Sequence, residues 1–227
     1  MTLGATALFF GALSGFRHAF EPDHLAAVST MVAERPGSWR AARLGAWWGV
    51  GHTAALAVVG GALALLDRAL PARLEQIFEF GVAVMLLLLG VRALRRAWFP
   101  SHSDDGHGIH VHLHSGLQPH VHVGRHTYML RPLTIGLVHG LAGSGALTAL
   151  VMSSLPTGGL RFIYTILFGL ASTLGMAIVS GVAGLSIARL THSRSTLLAM
   201  SVLTGTLSIA VSVLWGWPIV AEWIVAR

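Results

Sequence analysis

The segment from Phe162 to Ala188, FIYTILFGLASTLGMAIVSGVAGLSIA, contains no Asp, Glu, Lys or Arg, and this absence decides the class of the protein. Three further segments share the property, at residues 44–66, 132–160 and 195–221. A helix needs about 20 apolar residues to cross the hydrocarbon core of a bilayer, so each segment is long enough. The sequence therefore predicts an integral membrane protein.

The composition of the whole chain agrees with this prediction. Of its 227 residues, 54% are hydrophobic and 11% are charged, whereas soluble domains have about 25% charged residues. All 15 basic residues are arginines that mostly flank the apolar segments. This distribution is typical of membrane-protein loops, so nucleic-acid binding is excluded. The chain has no cysteine, which excludes zinc-thiolate sites and cysteine nucleophiles.

The apolar segments predict an all-α integral membrane protein with six transmembrane helices. They lie at about residues 3–33, 42–66, 74–97, 132–155, 162–188 and 196–224. When loops are assigned to alternate sides, most of the arginines fall on one side, which the positive-inside rule makes cytoplasmic. We therefore expect a multi-pass membrane protein with both termini outside and the loop 99–131 in the cytoplasm.

The two halves of the chain resemble each other. Residues 15–18 (GFRH) align with 136–139 (GLVH), and residues 48–53 align with 168–173. Because each half has three predicted helices, the halves would have opposite orientations in the membrane, as in many secondary transporters. The predicted organisation is a first three-helix repeat, a histidine-rich cytoplasmic loop and a second three-helix repeat, at 1–98, 99–131 and 132–227.

Polar residues interrupt the first predicted helix near its middle, in the sequence His18-Ala-Phe-Glu21-Pro22-Asp23-His24. Charged side chains at this depth cost about 2.5–3.5 kcal/mol each, and a divalent cation would compensate for them. On a straight helix His18 and His24 would point about 120° apart, but Pro22 breaks the helix and lets the ligands converge. Imidazoles with a carboxylate favour Ni²⁺, Co²⁺, Zn²⁺ or Cu²⁺ over Mg²⁺ and Ca²⁺.

Two further histidines lie within predicted helices. We expect His52 to be an additional ligand, because the preceding Gly49 and Gly51 permit close helix approach. We expect His139 either to line the ion path or to hydrogen-bond a neighbouring helix. The alternative for the first cluster is an ion pair between Arg17 and Glu21, with the histidines bonded to carbonyl groups. The predicted metal-site residues are His18, Glu21, Asp23, His24, His52 and His139.

The loop between the two halves carries eight histidines among aspartates and glycines. They are His102, His107, His110, His112, His114, His120, His122 and His126. Histidine-rich tracts of low complexity bind transition metals, so we predict a flexible metal reservoir or sensor. The alternative is a solvated polar linker.

The segment 17–25 (RHAFEPDHL) resembles the His-x4-Asp-His signature of the nickel/cobalt transporter (NiCoT) family, and Gly51-His52-Thr53 resembles its second Gly-His-Ser/Thr motif. The chain has Glu-Pro at 21–22, where the family commonly has Asp-Ala, and six predicted spans instead of eight. It is therefore more similar to the compact six-span branch associated with urease accessory membrane proteins. The resemblance implies a multi-pass permease for Ni²⁺ or Co²⁺ in a bacterial cytoplasmic membrane, with His18, Asp23, His24 and His52 in or near the selectivity site.

We therefore expect a secondary transporter without a cofactor, and not an enzyme. Inward movement of a dication gains about 4.6 kcal/mol per 100 mV, from about 2.3 kcal/mol per charge, so uptake needs no ATP. Efflux of the same ions is the main alternative. A metal sensor, a metal-dependent membrane hydrolase or a serine hydrolase using Ser144 are further alternatives. The expected partners are the metal ion, the lipid bilayer and a cytoplasmic metallochaperone.

Overall fold

The computed structural model describes residues 3–33, 37–66, 68, 70–98, 127–190 and 193–225, and every regular element in this part of the chain is helical. The helices are α1 (Leu3–His18), α2 (Pro22–Ala33), α3 (Ser38–Ala55), α4 (Gly61–Leu65), α5 (Ala72–Trp98), α6 (Thr127–Ser154), α7 (Gly158–Leu190) and α8 (Arg194–Val225). A π-helical turn, Leu56–Gly60, joins α3 to α4. The eight histidines of the predicted metal-binding loop lie outside the described residues.

Four helical segments of the described chain are long and apolar enough to cross a membrane. They are Ser38–Leu63, Ala72–Trp98, Gly158–Leu190 and Ser195–Val225. They coincide with the second, third, fifth and sixth predicted spans, so the prediction of an all-α membrane protein is confirmed. The other two spans stay predictions. One is divided between α1 and α2, and the other coincides with the 28-residue helix α6.

The exposed surfaces of these helices are apolar, which is the opposite of a soluble bundle. On α7, for example, Leu170, Leu174 and Val182 are all more than half exposed. Hydrocarbon tails are as apolar as leucine, so such side chains lose nothing by facing lipid. Small and polar side chains lie inside instead, including Ser172 and Ser208, which are fully buried.

The first predicted helix is broken at Pro22, as expected. Helix α1 ends at His18 and α2 begins at Pro22. In between, the Glu21 amide donates to the His18 carbonyl at 3.1 Å and closes a tight turn. Proline has no amide proton and disfavours the helical conformation of the residue before it, so the chain cannot continue as one straight helix. The break leaves His18 and His24 on either side of one turn.

Glycines on α3 and α6 allow these two helices to approach until their backbones touch. A Cβ atom at Gly51 would overlap the carbonyl of Leu133, and one at Gly136 would overlap the carbonyl of Trp48. Gly140 lies in the same way against the backbone of His52. Small residues at such positions are the usual means of close helix packing in a bilayer. This contact brings His52 on α3 next to the α6 segment that carries a second histidine.

Helix α3 also packs against α7, through two glycine–threonine contacts. Gly49 lies against Thr173, and Gly169 lies against Thr53. The Thr53 hydroxyl donates to the Gly169 carbonyl at 2.7 Å, and its oxygen is 2.7 Å from the Thr173 hydroxyl. Helix α3 is therefore held between α6 and α7 one residue away from His52.

Candidate metal centre

Four histidines from four different helices meet in the interior of the protein. His18 is the last residue of α1, His24 lies in the first turn of α2, His52 near the end of α3, and His139 in α6. The ring centroid of His24 lies 4.4 Å from that of His18, 5.4 Å from that of His52 and 4.2 Å from that of His139. The rings of His18 and His52 are 5.1 Å apart.

The cluster is shielded from solvent on all sides but one. His24, His52 and His139 are 1%, 0% and 2% exposed, and the side chain of His18 is 13% exposed. Next to His18, the side chain of Glu21 is 52% exposed. Exposure therefore rises from the interior through His18 to Glu21.

Asp23 bridges two of the imidazoles. Nδ1 of His24 lies 3.0 Å from one carboxylate oxygen, which also accepts the backbone amide of His24 at 2.8 Å. Nε2 of His139 lies 2.8 Å from the other oxygen. An ionised carboxylate only accepts hydrogen bonds, so both histidines donate a proton to it. This pairing fixes the tautomers: His24 carries its proton on Nδ1, which leaves the lone pair on Nε2.

Glu21 orients His18 in the same way. Its carboxylate lies 2.9 Å from Nδ1 of His18, across the turn that separates α1 from α2. The alternative expected from the sequence, an ion pair between Arg17 and Glu21, does not occur among the described residues, where the salt-bridge partner of Glu21 is His18. The proton on Nδ1 again leaves Nε2 of His18 with a free lone pair.

Several ring nitrogens of the cluster are buried and have no hydrogen-bond partner within the described part of the chain. They are Nε2 of His18, Nε2 of His24, both nitrogens of His52 and Nδ1 of His139. Buried polar atoms are usually paired, so a set of this size needs an explanation. His18, His24 and His52 each offer one ligand atom within 4.8 Å of the others, and so do Asp23, His24 and His139. Either set has the chemistry for a first-row transition metal.

The sequence of this chain is 34% identical over 173 residues to the urease accessory protein UreH of Bacillus sp. (strain TB-90), and the match covers 74% of this chain and 72% of the relative. The chain belongs to the UreH family. Over 176 residues it is also 27% identical to the chloroplast protein FOR GROWTH AND FERTILITY 2 of Arabidopsis thaliana, covering 75% of this chain and 45% of the relative. No family model and no solved structure matches the chain.

Membership of the UreH family confirms the urease-accessory branch that the sequence motifs indicated, and it agrees with the prediction that the protein is not an enzyme. All six predicted site residues of this UreH-family protein lie in the one histidine cluster. Their role as metal ligands stays a prediction. The side chain of Ser144, on which the serine hydrolase alternative depends, lies outside the described residues.

Two aromatic residues that were not predicted for the site enclose it in this UreH-family protein. The ring of Trp48, which is 0% exposed, lies 5.2 Å from that of His24 and 5.5 Å from that of His139. The ring of Phe168 lies 5.2 Å from that of His18. The aligned segments 48–53 and 168–173 begin with these two residues, so the sequence repeat was the signal that could have identified them.

Proposed function

We propose that the protein is a permease for a divalent transition-metal cation, Ni²⁺ or Co²⁺, which it carries inward across a bacterial cytoplasmic membrane. The observation that carries the proposal is the set of buried, unpartnered imidazole nitrogens within an all-α membrane protein. Ionisable residues inside a membrane are costly and mark ion pathways or other functional sites. The urease association of the Bacillus relative and the likeness to the NiCoT signature support Ni²⁺ as the first choice.

In this proposal three neutral imidazoles bind the ion directly, through Nε2 of His18, Nε2 of His24 and one nitrogen of His52. These three residues form one of the two candidate ligand sets, and the named nitrogens have no hydrogen-bond partner among the described residues. The second set, Asp23 with His24 and His139, already uses its atoms in hydrogen bonds of 3.0 and 2.8 Å. An ion there would have to replace both of these hydrogen bonds, and each ring would have to move its proton to its other nitrogen, which makes this set the weaker candidate.

The carboxylates of Asp23 and Glu21 then accept hydrogen bonds from the ring nitrogens that do not bind the ion. Asp23 holds His24, and Glu21 holds His18, each through Nδ1. Histidines that bind a metal almost always donate their other N–H to such a partner, and loss of that partner costs about 10–100-fold in affinity or activity. His139 contributes by fixing the other oxygen of Asp23. In the proposed site His18, His24 and His52 are thus the ligands. The supporting residues, which hold the ligand rings in place, are Glu21, Asp23 and His139.

We propose alternating access between two inverted halves, 1–98 and 132–227, as the transport mechanism. Two contacts between the halves support this, because each is made by the sequence counterparts of the residues that make the other. Gly15 lies against the backbone of Phe168, and Gly136, its counterpart in the sequence alignment, lies against the backbone of Trp48. Positions 48 and 168 are themselves counterparts. Such an exchange is what a pseudo-twofold axis between inverted repeats produces.

The contact between α3 and α7 supports the same arrangement, because it is made by counterpart residues. Gly49 contacts Thr173 while Gly169 contacts Thr53, and the two threonine hydroxyls are hydrogen-bonded to each other. A pair of this kind lies on the axis that would relate the halves. The ion site is next to it, since His52 precedes Thr53. This agrees with the proposed arrangement, since secondary transporters with inverted repeats bind their substrates near the midplane, at the interface between the repeats.

Six spans, external termini and a cytoplasmic loop 99–131 complete the proposal. A cell interior that is negative drives a dication inward with about 4.6 kcal/mol per 100 mV, at about 2.3 kcal/mol per charge. The histidine-rich loop would hold ions on the cytoplasmic side, for a metallochaperone to collect.

Flux of radiolabelled Ni²⁺ into proteoliposomes tests the proposal. We expect uptake by the wild type under an inside-negative potential and its loss in His24→Ala. Thr206→Ala, at an exposed position on α8, serves as the control and should transport normally. Equal uptake by wild type and His24→Ala would refute the site. Flux only under an inside-positive potential would refute the inward direction.

A further inference from the structure

We propose that Gly143 keeps one coordination position of the bound ion open, and that this opening sets how fast the ion passes through the site. The inference rests on the proposed function and adds a residue that is not a ligand. Gly143 lies on α6, one turn after His139, and faces the rings of two proposed ligands.

The surroundings of Gly143 differ from those of the packing glycines on the same helix. A Cβ atom at Gly136 or Gly140 would overlap the backbone of α3. A Cβ atom at Gly143 would instead lie 3.7 Å from Cε1 of His52 and 3.8 Å from Nε2 of His18, which are ordinary contact distances. Helix packing therefore does not require a glycine at this position. Its missing side chain leaves space beside the two rings.

That space has the right distance from the rings to hold a fourth ligand. Imidazole nitrogens bind a first-row metal such as Zn²⁺ at about 2.0–2.1 Å, so two ligand atoms in a tetrahedral site are about 3.4 Å apart. A water molecule in the fourth position would thus lie about as far from Nε2 of His18 as the Cβ atom would. Sites that exchange their ligands keep such a position, whereas structural metal sites close it. A methyl group at Gly143 would fill it.

An open position matters for a carrier because the ion exchanges ligands when it enters and when it leaves. A new ligand can reach the ion before an old one departs only if a position is free. With Gly143→Ala we expect the three imidazoles still to bind the ion, but exchange to become slow. One added methylene-sized group in a pocket changes discrimination by roughly 10–200-fold, so we expect flux to fall at least about tenfold.

The experiment uses Co²⁺ as the probe with the full-length wild type, Gly143→Ala and Gly81→Ala. Gly81 lies on α5 with no atom within 4 Å of its Cβ position, so it controls for the same substitution without a new contact. Visible absorption of bound Co²⁺ reports the coordination number in detergent, and proteoliposomes report flux. We expect Gly81→Ala to match the wild type. Gly143→Ala should give a Co²⁺ spectrum that differs from that of the wild type, because a water ligand is lost, and slower flux.

Several results would overturn the inference. A Co²⁺ spectrum and flux of Gly143→Ala that match the wild type would show that the position is not open to the ion. Loss of Co²⁺ binding at an unchanged melting temperature would mean that the methyl group occupies the place of the ion itself. Alanine is the better helix former, so misfolding of Gly143→Ala alone is not expected. Wild-type Co²⁺ binding without flux would refute the permease, while the spectra would still test the role of Gly143.

Discussion

Replacement of Asp23 by asparagine separates a supporting carboxylate from a metal ligand. In the structure this carboxylate accepts three hydrogen bonds, two from His24 and one from His139. Asparagine has the same shape but only one acceptor oxygen, and its amide nitrogen must face one of the two rings. If the oxygen faces His24, Nδ1 keeps its proton and Nε2 remains free for the ion. His139 must then accept a hydrogen bond, and the negative charge behind His24 is lost.

The expected loss in metal affinity follows from this geometry. An outer carboxylate that orients a metal-binding histidine is worth about 10–100-fold, which is about 1.4–2.7 kcal/mol at 1.36 kcal/mol per tenfold. The metal-free protein should not lose stability to the same extent, because a neutral amide costs less to bury than a carboxylate. We therefore expect Asp23→Asn to lower the affinity for Ni²⁺ and to leave the melting temperature of the metal-free protein nearly unchanged.

Calorimetric titration of Ni²⁺ measures the affinity, and X-ray absorption at the nickel edge identifies the ligand atoms. With three imidazole ligands, wild type and Asp23→Asn should show the same number of histidine nitrogens. Loss of an oxygen ligand in Asp23→Asn alone would show that Asp23 binds the ion directly. An unchanged affinity would also contradict the reasoning, because the two hydrogen bonds to the histidines would then have no effect on binding.

Two further predictions concern the packing that holds the site together. Gly136→Ala places a Cβ atom on the carbonyl of Trp48, so we expect a loss of about 1–3 kcal/mol in the free energy of unfolding in detergent. Gly81→Ala, whose Cβ atom meets no neighbouring element within the described chain, should be neutral. Equal melting curves for the two variants would refute the close contact. Thr53→Ala and Thr173→Ala both remove the hydrogen bond between the two hydroxyls, and Thr53→Ala also removes the bond to the Gly169 carbonyl. At about 0.6–1.7 kcal/mol per hydrogen bond, Thr53→Ala should be the more costly single change, and the double variant should cost little more than Thr53→Ala alone. Additive losses in an SDS unfolding titration would mean that the two hydroxyls do not depend on each other.

Much of the membrane fold could be predicted from local properties of the sequence. A segment such as 162–188, which has no charged residue, is stable only within a bilayer or within the core of a large protein. Its length is sufficient to span a membrane. The break in the first helix was also predictable, because Pro22 lacks an amide proton wherever it occurs. The His-x4-Asp-His pattern predicted that His18, Asp23 and His24 belong to one site, since such groups are rare within apolar segments, and these three residues do lie in one cluster.

The partners of those residues depended on tertiary structure. That Asp23 is a metal ligand stays a prediction, and the structure adds that its carboxylate contacts both His24 and His139, which is 116 residues away along the chain. Glu21 was expected to pair with Arg17 or with the ion, and it pairs with His18. The spacing of residues in one helix cannot predict a partner that another helix supplies. Which ring nitrogen stays free follows only from those partners.

The class of the protein could be read from the sequence, because the lack of charge and the length of a segment are local properties. The break at Pro22 could be predicted for the same reason, since proline lacks an amide proton in any surroundings. Which side chains and ring nitrogens of the site contact one another depended on the packing of the helices. Backbone contacts at Gly136 and Gly140 bring α6 against α3, whereas a Cβ atom at Gly143 would meet the rings of His52 and His18 at ordinary contact distances. Which side chains meet depends on distances of a few ångströms between helices, and these distances cannot be predicted from the periodicity of the sequence.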